Sequence, residues 1–209
     1  MKVEITTPET LEDIKLSQYL KWVKISKDQE MSVFLQQKMI EIFCDIPLKI
    51  VLNIRAKDGD KICSEITEAL NKEAKFIDRF KKDGIDYGFI PQLDDMTFGE
   101  YVDLDTYMGE WETMDKAMGV LFRPIVIKSK RGYIIEDYEK ADKYNMSDMT
   151  LDIVFGAMVF FYNLRNELRK VILNYLEGEM EDKLPQGFMD SLKNGDGINQ
   201  FMDLPKVTS

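Results

Sequence analysis

The stretch Lys81-Lys82-Asp83-Gly84-Ile85-Asp86-Tyr87-Gly88-Phe89-Ile90-Pro91-Gln92-Leu93-Asp94-Asp95-Met96-Thr97-Phe98-Gly99-Glu100-Tyr101 changes from strand to helix chemistry within a few residues. Asp83-Gly84 supplies the positive φ of a tight turn, so Lys75–Phe80 and Ile85–Ile90 are expected to form a first β-hairpin. Thr97 is a good N-cap, and Glu100 three residues on completes a capping box, with Met96 and Tyr101 at the staple positions. A helical stretch should then run from about Thr97 to Leu121, broken near Gly109. Beyond it, Phe122–Lys128 and Tyr133–Tyr138 flank Ser129-Lys130-Arg131-Gly132 as a second hairpin. The expected class is α+β, mainly α-helical with two β-hairpins.

Working outward, residues 3–7 alternate and predict a short edge strand ended by Pro8. Leu16, Tyr19, Leu20 and Val23 repeat at helical spacing, which predicts an amphipathic helix over 16–25. A second helix is expected from about Gln29 to Phe43, with Val33, Phe34, Met39, Ile40 and Phe43 inward and the Ile46-Pro47 step as its breaker. Residues 48–54 read as either strand or short helix. Asp58-Gly59-Asp60 reads as a turn before a helix carrying Ile62, Ile66, Ala69 and Leu70. The longest helix should begin near Ser147 or Asp148 and run to about Glu177. Its run Ile153 to Leu164 is twelve residues without a charge, too short to span a bilayer, which takes about 20.

Leu11-Glu12-Asp13-Ile14-Lys15-Leu16-Ser17-Gln18-Tyr19-Leu20 echoes Leu93-Asp94-Asp95-Met96-Thr97-Phe98-Gly99-Glu100-Tyr101-Val102, each after a proline and an expected strand. The echo predicts two similar strand-to-helix sub-lobes, residues 1–74 and 75–181, within a globular helical domain 1–181. Residues 182–209 are polar and punctuated by Gly and Pro, with two apolar clusters: Phe188, Met189 and Leu192, then Phe201, Met202 and Leu204. A flexible tail is one reading. The other, which we favour, is an extended docking tail that the two clusters anchor; removing Asp182–Ser209 should then leave a folded monomer that no longer assembles.

Composition narrows function by exclusion. The 209 residues carry 28 basic and 38 acidic side chains, a formal charge of −10, against any broad nucleic-acid surface. There is no histidine, which removes His-based acid–base chemistry, Ser-His and Cys-His pairs and most catalytic zinc sites. The two cysteines, Cys44 and Cys63, have no metal-ligand spacing and read as reduced core residues. The N-terminus, Met1-Lys2-Val3-Glu4-Ile5, lacks the apolar run of a signal peptide, so synthesis in the cytoplasm is expected. Asp103-Leu104-Asp105 opens like a calcium loop but lacks Gly at the sixth position and Glu at the twelfth, and no Gly-rich phosphate loop occurs. No catalytic residue, metal or cofactor is therefore assigned. The candidate contact residues are Lys128, Lys130 and Arg131 on the hairpin tip, Asp103 and Asp105 on the acidic helix, and the tail clusters.

Two stretches also carry a resemblance. Tyr87-Gly88-Phe89-Ile90-Pro91-Gln92-Leu93-Asp94-Asp95-Met96-Thr97-Phe98-Gly99-Glu100-Tyr101-Val102-Asp103-Leu104-Asp105-Thr106-Tyr107 leads into Trp111-Glu112-Thr113-Met114-Asp115-Lys116-Ala117-Met118-Gly119-Val120-Leu121-Phe122-Arg123-Pro124-Ile125. Together they resemble a family encoded among the tail and neck genes of tailed bacteriophages. Val154–Leu164, with Phe160-Phe161-Tyr162, looks like that family's later helix. The Lys-, Ile- and Asp-rich composition, without His, is similar to proteins of crAss-like phages. The resemblance implies a non-enzymatic virion role: a neck or tail ring subunit near the head–tail connector, assembling with itself, in twelvefold rings, and with neighbouring portal or tail proteins. Relatives are also described as tail-assembly chaperones or baseplate-hub proteins, which stands as the alternative. Neither specific nucleic-acid binding nor a membrane is implied.

Overall fold

The computed structural model describes residues 5–93, 96–130, 132–161 and 163. The chain divides into two compact units, 1–156 and 157–209; the elements below belong to the first. Its class is α+β and mainly helical, with a four-stranded antiparallel sheet made of two hairpins.

Residues 5–7 form no strand; the chain passes them into a 3-10 turn at Leu11–Asp13. Asp13 folds back to accept from the N–H groups of Glu9 and Thr10 and from the Thr10 hydroxyl, and these hydrogen bonds hold its carboxyl below the ordinary range. Helix α1, Leu16–Ser26, follows. A short antiparallel bridge between Lys15 and Thr150 ties its start down: Leu16 N–H donates to Met149 O (2.7 Å) and Ser17 N–H to Ser147 O (2.8 Å). Two of the first-turn donors that a helix leaves unpaired are thus satisfied by another chain segment. The bridge also sets the rotation of α1. Leu16, Tyr19 and Trp22 are buried, whereas the expected Leu20 and Val23 are only half-buried.

Helix α2, Val33–Phe43, starts at Ser32, whose hydroxyl accepts from Leu35 N–H. It buries Leu35, Met39, Ile40 and Phe43 and leaves Val33 and Phe34 exposed, contrary to the inward placement expected for those two. They occupy the first turn, before the helix meets α1. Its end comes before Pro47: Asp45 takes a φ of 51° and Ile46 N–H reaches back to Glu41 O, a Schellman stop. The ambiguous 48–54 segment contains a helical turn, α3, Leu48–Val51. Helix α4, Ala56–Leu70, runs straight through Asp58-Gly59-Asp60, where composition predicts a turn. Asp58 and Gly59 donate to Arg55 O, and Asp58 pairs with Arg55 (2.6 Å), so the acid sits in the first turn where the helix dipole favours it. Cys63, Ile66 and Ala69 form its buried stripe against α2.

The sheet follows the order β1-β2-β3-β4, with β1 Arg79–Lys82, β2 Ile85–Phe89, β3 Phe122–Ser129 and β4 Gly132–Ile135. β1 is displaced from the expected 75–80, taking in Lys81 and Lys82 from the expected turn, and β4 ends at Ile135 rather than Tyr138. Asp83 (φ 50°) and Gly84 (φ 81°) make the left-handed pair that the first turn needs. Cross-strand aromatic pairs lock its register: Phe80 stacks on its partner Tyr87 (5.3 Å), and Phe89 meets Phe122 edge-on (5.2 Å). Tyr133 lies over Gly88, where a Cβ would stand 2.3 Å from its ring, and donates its hydroxyl to Phe89 O.

Between β2 and β3 run α5, Phe98–Met108, a 3-10 turn at Trp111–Thr113, and α6, Met114–Leu121. Gly119 on α6 is a site of close approach: a Cβ there would fall 2.1 Å from Ala141 O. A further helix, α7, begins at residue 151 rather than 147–148, because residues 147–150 are used in the bridge to α1. Phe155 and Trp111 enclose the Tyr19 ring (5.3 and 4.9 Å). The continuation of α7 to 177 and the whole 182–209 tail lie outside the described residues.

Candidate protein-interaction site

The site is built from a helix held from beneath. On α5, Thr97 Oγ1 accepts from Glu100 N–H (3.3 Å), while Glu100 Oε2 accepts from Thr97 N–H and from the Thr97 hydroxyl (both 2.6 Å). The other carboxylate oxygen accepts from Arg123 Nη2 on β3 at 2.5 Å. Glu100 and Arg123 are 4% and 6% exposed, so this ion pair is a core element. The Arg123 guanidinium lies over the Tyr138 ring (5.6 Å), and the Tyr138 hydroxyl donates to Asp103. Burial first, then the Asp103 hydrogen bond and charge, push the Tyr138 phenol well above its ordinary range. One polar chain, Thr97–Glu100–Arg123–Tyr138–Asp103, thus clamps the inner side of α5.

The outer side is left free to present Phe98, Tyr101 and Val102, exposed by 83%, 59% and 43%, with the exposed Asp105 continuing the same i, i+3, i+4, i+7 stripe. Tyr101 therefore does not bury its ring in a staple. From 98 to 113 the chain carries five acids (Glu100, Asp103, Asp105, Glu110 and Glu112) and no base. Of the candidate contact residues on this helix, Asp103 is half-buried and accepts from the Tyr138 hydroxyl, and Asp105 is exposed.

A second surface is the far end of the β3–β4 hairpin. β2 pairs with β3 only over Phe122–Pro124, and the ladder from Ile125 to Ser129 has β4 alone as its partner. A bulge between Ile125 and Ile127 adds twist. Val126, Ile127 and Ile134 are each more than half exposed, and Ile127 sits directly opposite Ile134. Lys128 is exposed and donates to Asp86 at 2.5 Å, a contact that lowers the Asp86 carboxyl; Lys130 is exposed at the turn. Arg131, Phe188, Met189, Leu192, Phe201, Met202 and Leu204 lie outside the described residues. Lys128 and Lys130 thus belong to the β3–β4 hairpin and Asp103 and Asp105 to α5, and no hydrogen bond or ion pair among the described residues joins the two pairs.

Reading the sequence alone missed the Glu100–Arg123 pair. Its signal was the capping box itself, since a capping Glu has a second oxygen that must find a donor if the helix start is buried. Of the two cysteines expected in the core, Cys63 is buried and Cys44 only half-buried. The Cys63 thiol donates to Gln36 O (3.6 Å), both cysteines are free, and burial with neighbouring groups raises each to about 11. A groove of about 290 Å³ runs past Met96, Glu100, Arg123 and Ile134, and a more polar cleft of about 660 Å³ lies between Thr7, Lys21 and Asp148. Among the described residues no three His, Cys, Asp or Glu side chains are grouped to hold a metal, and no helix is long and apolar enough to cross a membrane. Comparison with protein-family models, curated proteins and solved structures finds no match to this chain.

Proposed function

We propose that this chain is a structural subunit of a tailed-phage neck or tail ring, acting by protein–protein contact in the virion rather than by catalysis. The observation that carries the assembly reading is the stripe Phe98–Tyr101–Val102, apolar and solvent-facing on a helix whose other side is clamped by a buried ion pair. Water-exposed aromatic residues on a rigid element mark interaction sites. The phage assignment is supported by the resemblance over about residues 85–176. Quantitative mass spectrometry of gradient-purified particles, normalised to the portal subunit, tests the reading. A fixed ratio of one, or a simple multiple, is expected for a ring. Absence from particles together with abundance in infected-cell lysate would make the chain an assembly chaperone and overturn it.

A further inference from the structure

We infer that the β3–β4 hairpin end of one copy docks on the outer face of α5 of the next copy, so that the chain carries both halves of its own assembly contact. The inference rests on the ring reading above and assigns the surfaces that would build it.

Three observations carry it. The first is an internal comparison. α1 and α5 begin at aligned positions of the sequence echo, Lys15 and Thr97, and in both the residue at N3 reaches back to the N-cap N–H: Gln18 Oε1 at 2.9 Å and Glu100 Oε2 at 2.6 Å. The faces that follow have opposite fates. Leu16 and Tyr19 are at most 5% exposed, with Tyr19 enclosed by Trp111 and Phe155. Their counterparts Phe98 and Tyr101 are 83% and 59% exposed. The same local scaffold presents apolar residues twice, and at α5 no described part of the chain covers them.

The second is the hairpin. From Ile125 onward it stands as a two-stranded ribbon with Val126, Ile127 and Ile134 exposed. Two strands alone are marginal in water and gain from a partner over their apolar side chains.

The third is charge. On the hairpin the exposed Lys128, which also contacts Asp86, and the exposed Lys130 stand without an acid between 126 and 130, while the α5 side exposes Asp105, with Glu110 and Glu112 following, Glu100 and Asp103 being taken up by Arg123 and Tyr138. Two copies of a chain with net charge −10 repel at long range, so a contact that sets opposite charges against each other locally is favoured over one that does not. Ring contacts are heterologous, and these two surfaces differ in the required way. The three outward α5 side chains offer roughly 300–400 Å² of apolar surface, the centre of an interface that typically takes about 800 Å² per partner.

The test uses the full chain and two charge-reversed variants, K128E/K130E on the hairpin and D105K/E112K on the helix, followed by sedimentation velocity from micromolar concentration upward. All four positions are exposed or partly so, and circular dichroism checks that each variant stays folded. Each variant alone is expected to weaken self-association about 100-fold or more, since like charges then face each other. Mixing the two variants restores assembly, because the acidic hairpin of one now meets the basic helix of the other while the unaltered pair also remains. Assembly of either variant at the wild-type concentration, or a mixture that stays monomeric, overturns the pairing and leaves the ring reading standing. A closed wild-type dimer that obeys the charge swap keeps the pairing and overturns the ring. A wild-type chain that stays monomeric up to hundreds of micromolar overturns both.

Discussion

Arg123→Met should be among the most destabilising single substitutions available, and the reason is the company Glu100 keeps. The carboxylate is 4% exposed. Its Oε2 is held by Thr97, and its Oε1 has Arg123 as its hydrogen-bond partner. Removing Arg123 strands a buried negative charge, which costs about 3–5 kcal/mol. For a folded unit of this size that is a fall in Tm of roughly 6–20 °C. Glu100→Gln keeps an acceptor for Thr97 but strands the guanidinium, with a similar penalty. The double variant E100Q/R123M leaves no unpaired charge. The native pair is itself imperfect, since Arg123 Nε has no partner among the described residues and a buried unpaired N–H costs about 1–3 kcal/mol. The double variant is therefore expected within about 2 kcal/mol of wild type, giving a coupling of at least about 4 kcal/mol. Urea unfolding at pH 7, followed by Trp22 and Trp111 fluorescence, measures all four corners of the cycle. An R123M loss below about 1 kcal/mol, or additive single losses, would mean that the pair does not hold α5 against the sheet.

Three further outcomes follow from local geometry. The Cβ of Gly119→Ala would fall 2.1 Å from a backbone oxygen, whereas that of Gly99→Ala on α5 meets nothing within 4 Å. The first should therefore cost about 2 kcal/mol or more and the second should gain about 0.5–1 kcal/mol; thermal melts of both variants test the contrast. Native Cys63 should react with a disulfide reagent far more slowly at pH 8 than in the unfolded chain, with the half-buried Cys44 slowed less, and an equal rate for Cys63 would refute its burial. Folding raises both thiols to about 11. The stability this contributes is complete below the unfolded thiol pKa of about 8.5–9 and is lost as pH rises toward the folded value, so a melt series from pH 7 to 11 should show that decline. Phe98 is 83% exposed. Phe98→Ser should leave Tm within about 1 °C while weakening self-association, and a large fall in Tm would place Phe98 in the monomer's own packing.

The features legible in the sequence were those whose partners lie within a few residues. The Asp83-Gly84 turn demands positive φ wherever it occurs, and the Thr97–Glu100 box closes over three residues, so both could be read directly. So could the class, since strand alternation and helical spacing are local periods. Misreadings arose where distant contacts competed. Asp58-Gly59-Asp60 has turn composition, yet Arg55 and packing against α2 carry the helix through it. Val33 and Phe34 have core composition but fall outside the stretch of α2 that meets other elements.

The candidate site divides the same way. Its charges and apolar residues were visible as composition: an acidic helix, a basic hairpin tip, and aromatic side chains at helical spacing. Which face of α5 would be buried was not, because Phe98, Tyr101 and Val102 are as apolar as the Leu16, Tyr19 and Leu20 they echo. That choice falls to Glu100 and Arg123, 23 residues apart, and to Tyr138 and Asp103, 35 apart. A sequence by itself determines local conformation through short-range sterics and hydrogen bonding. Only the tertiary structure decides which of two equally apolar faces meets water, because burial is a property of what packs against a residue.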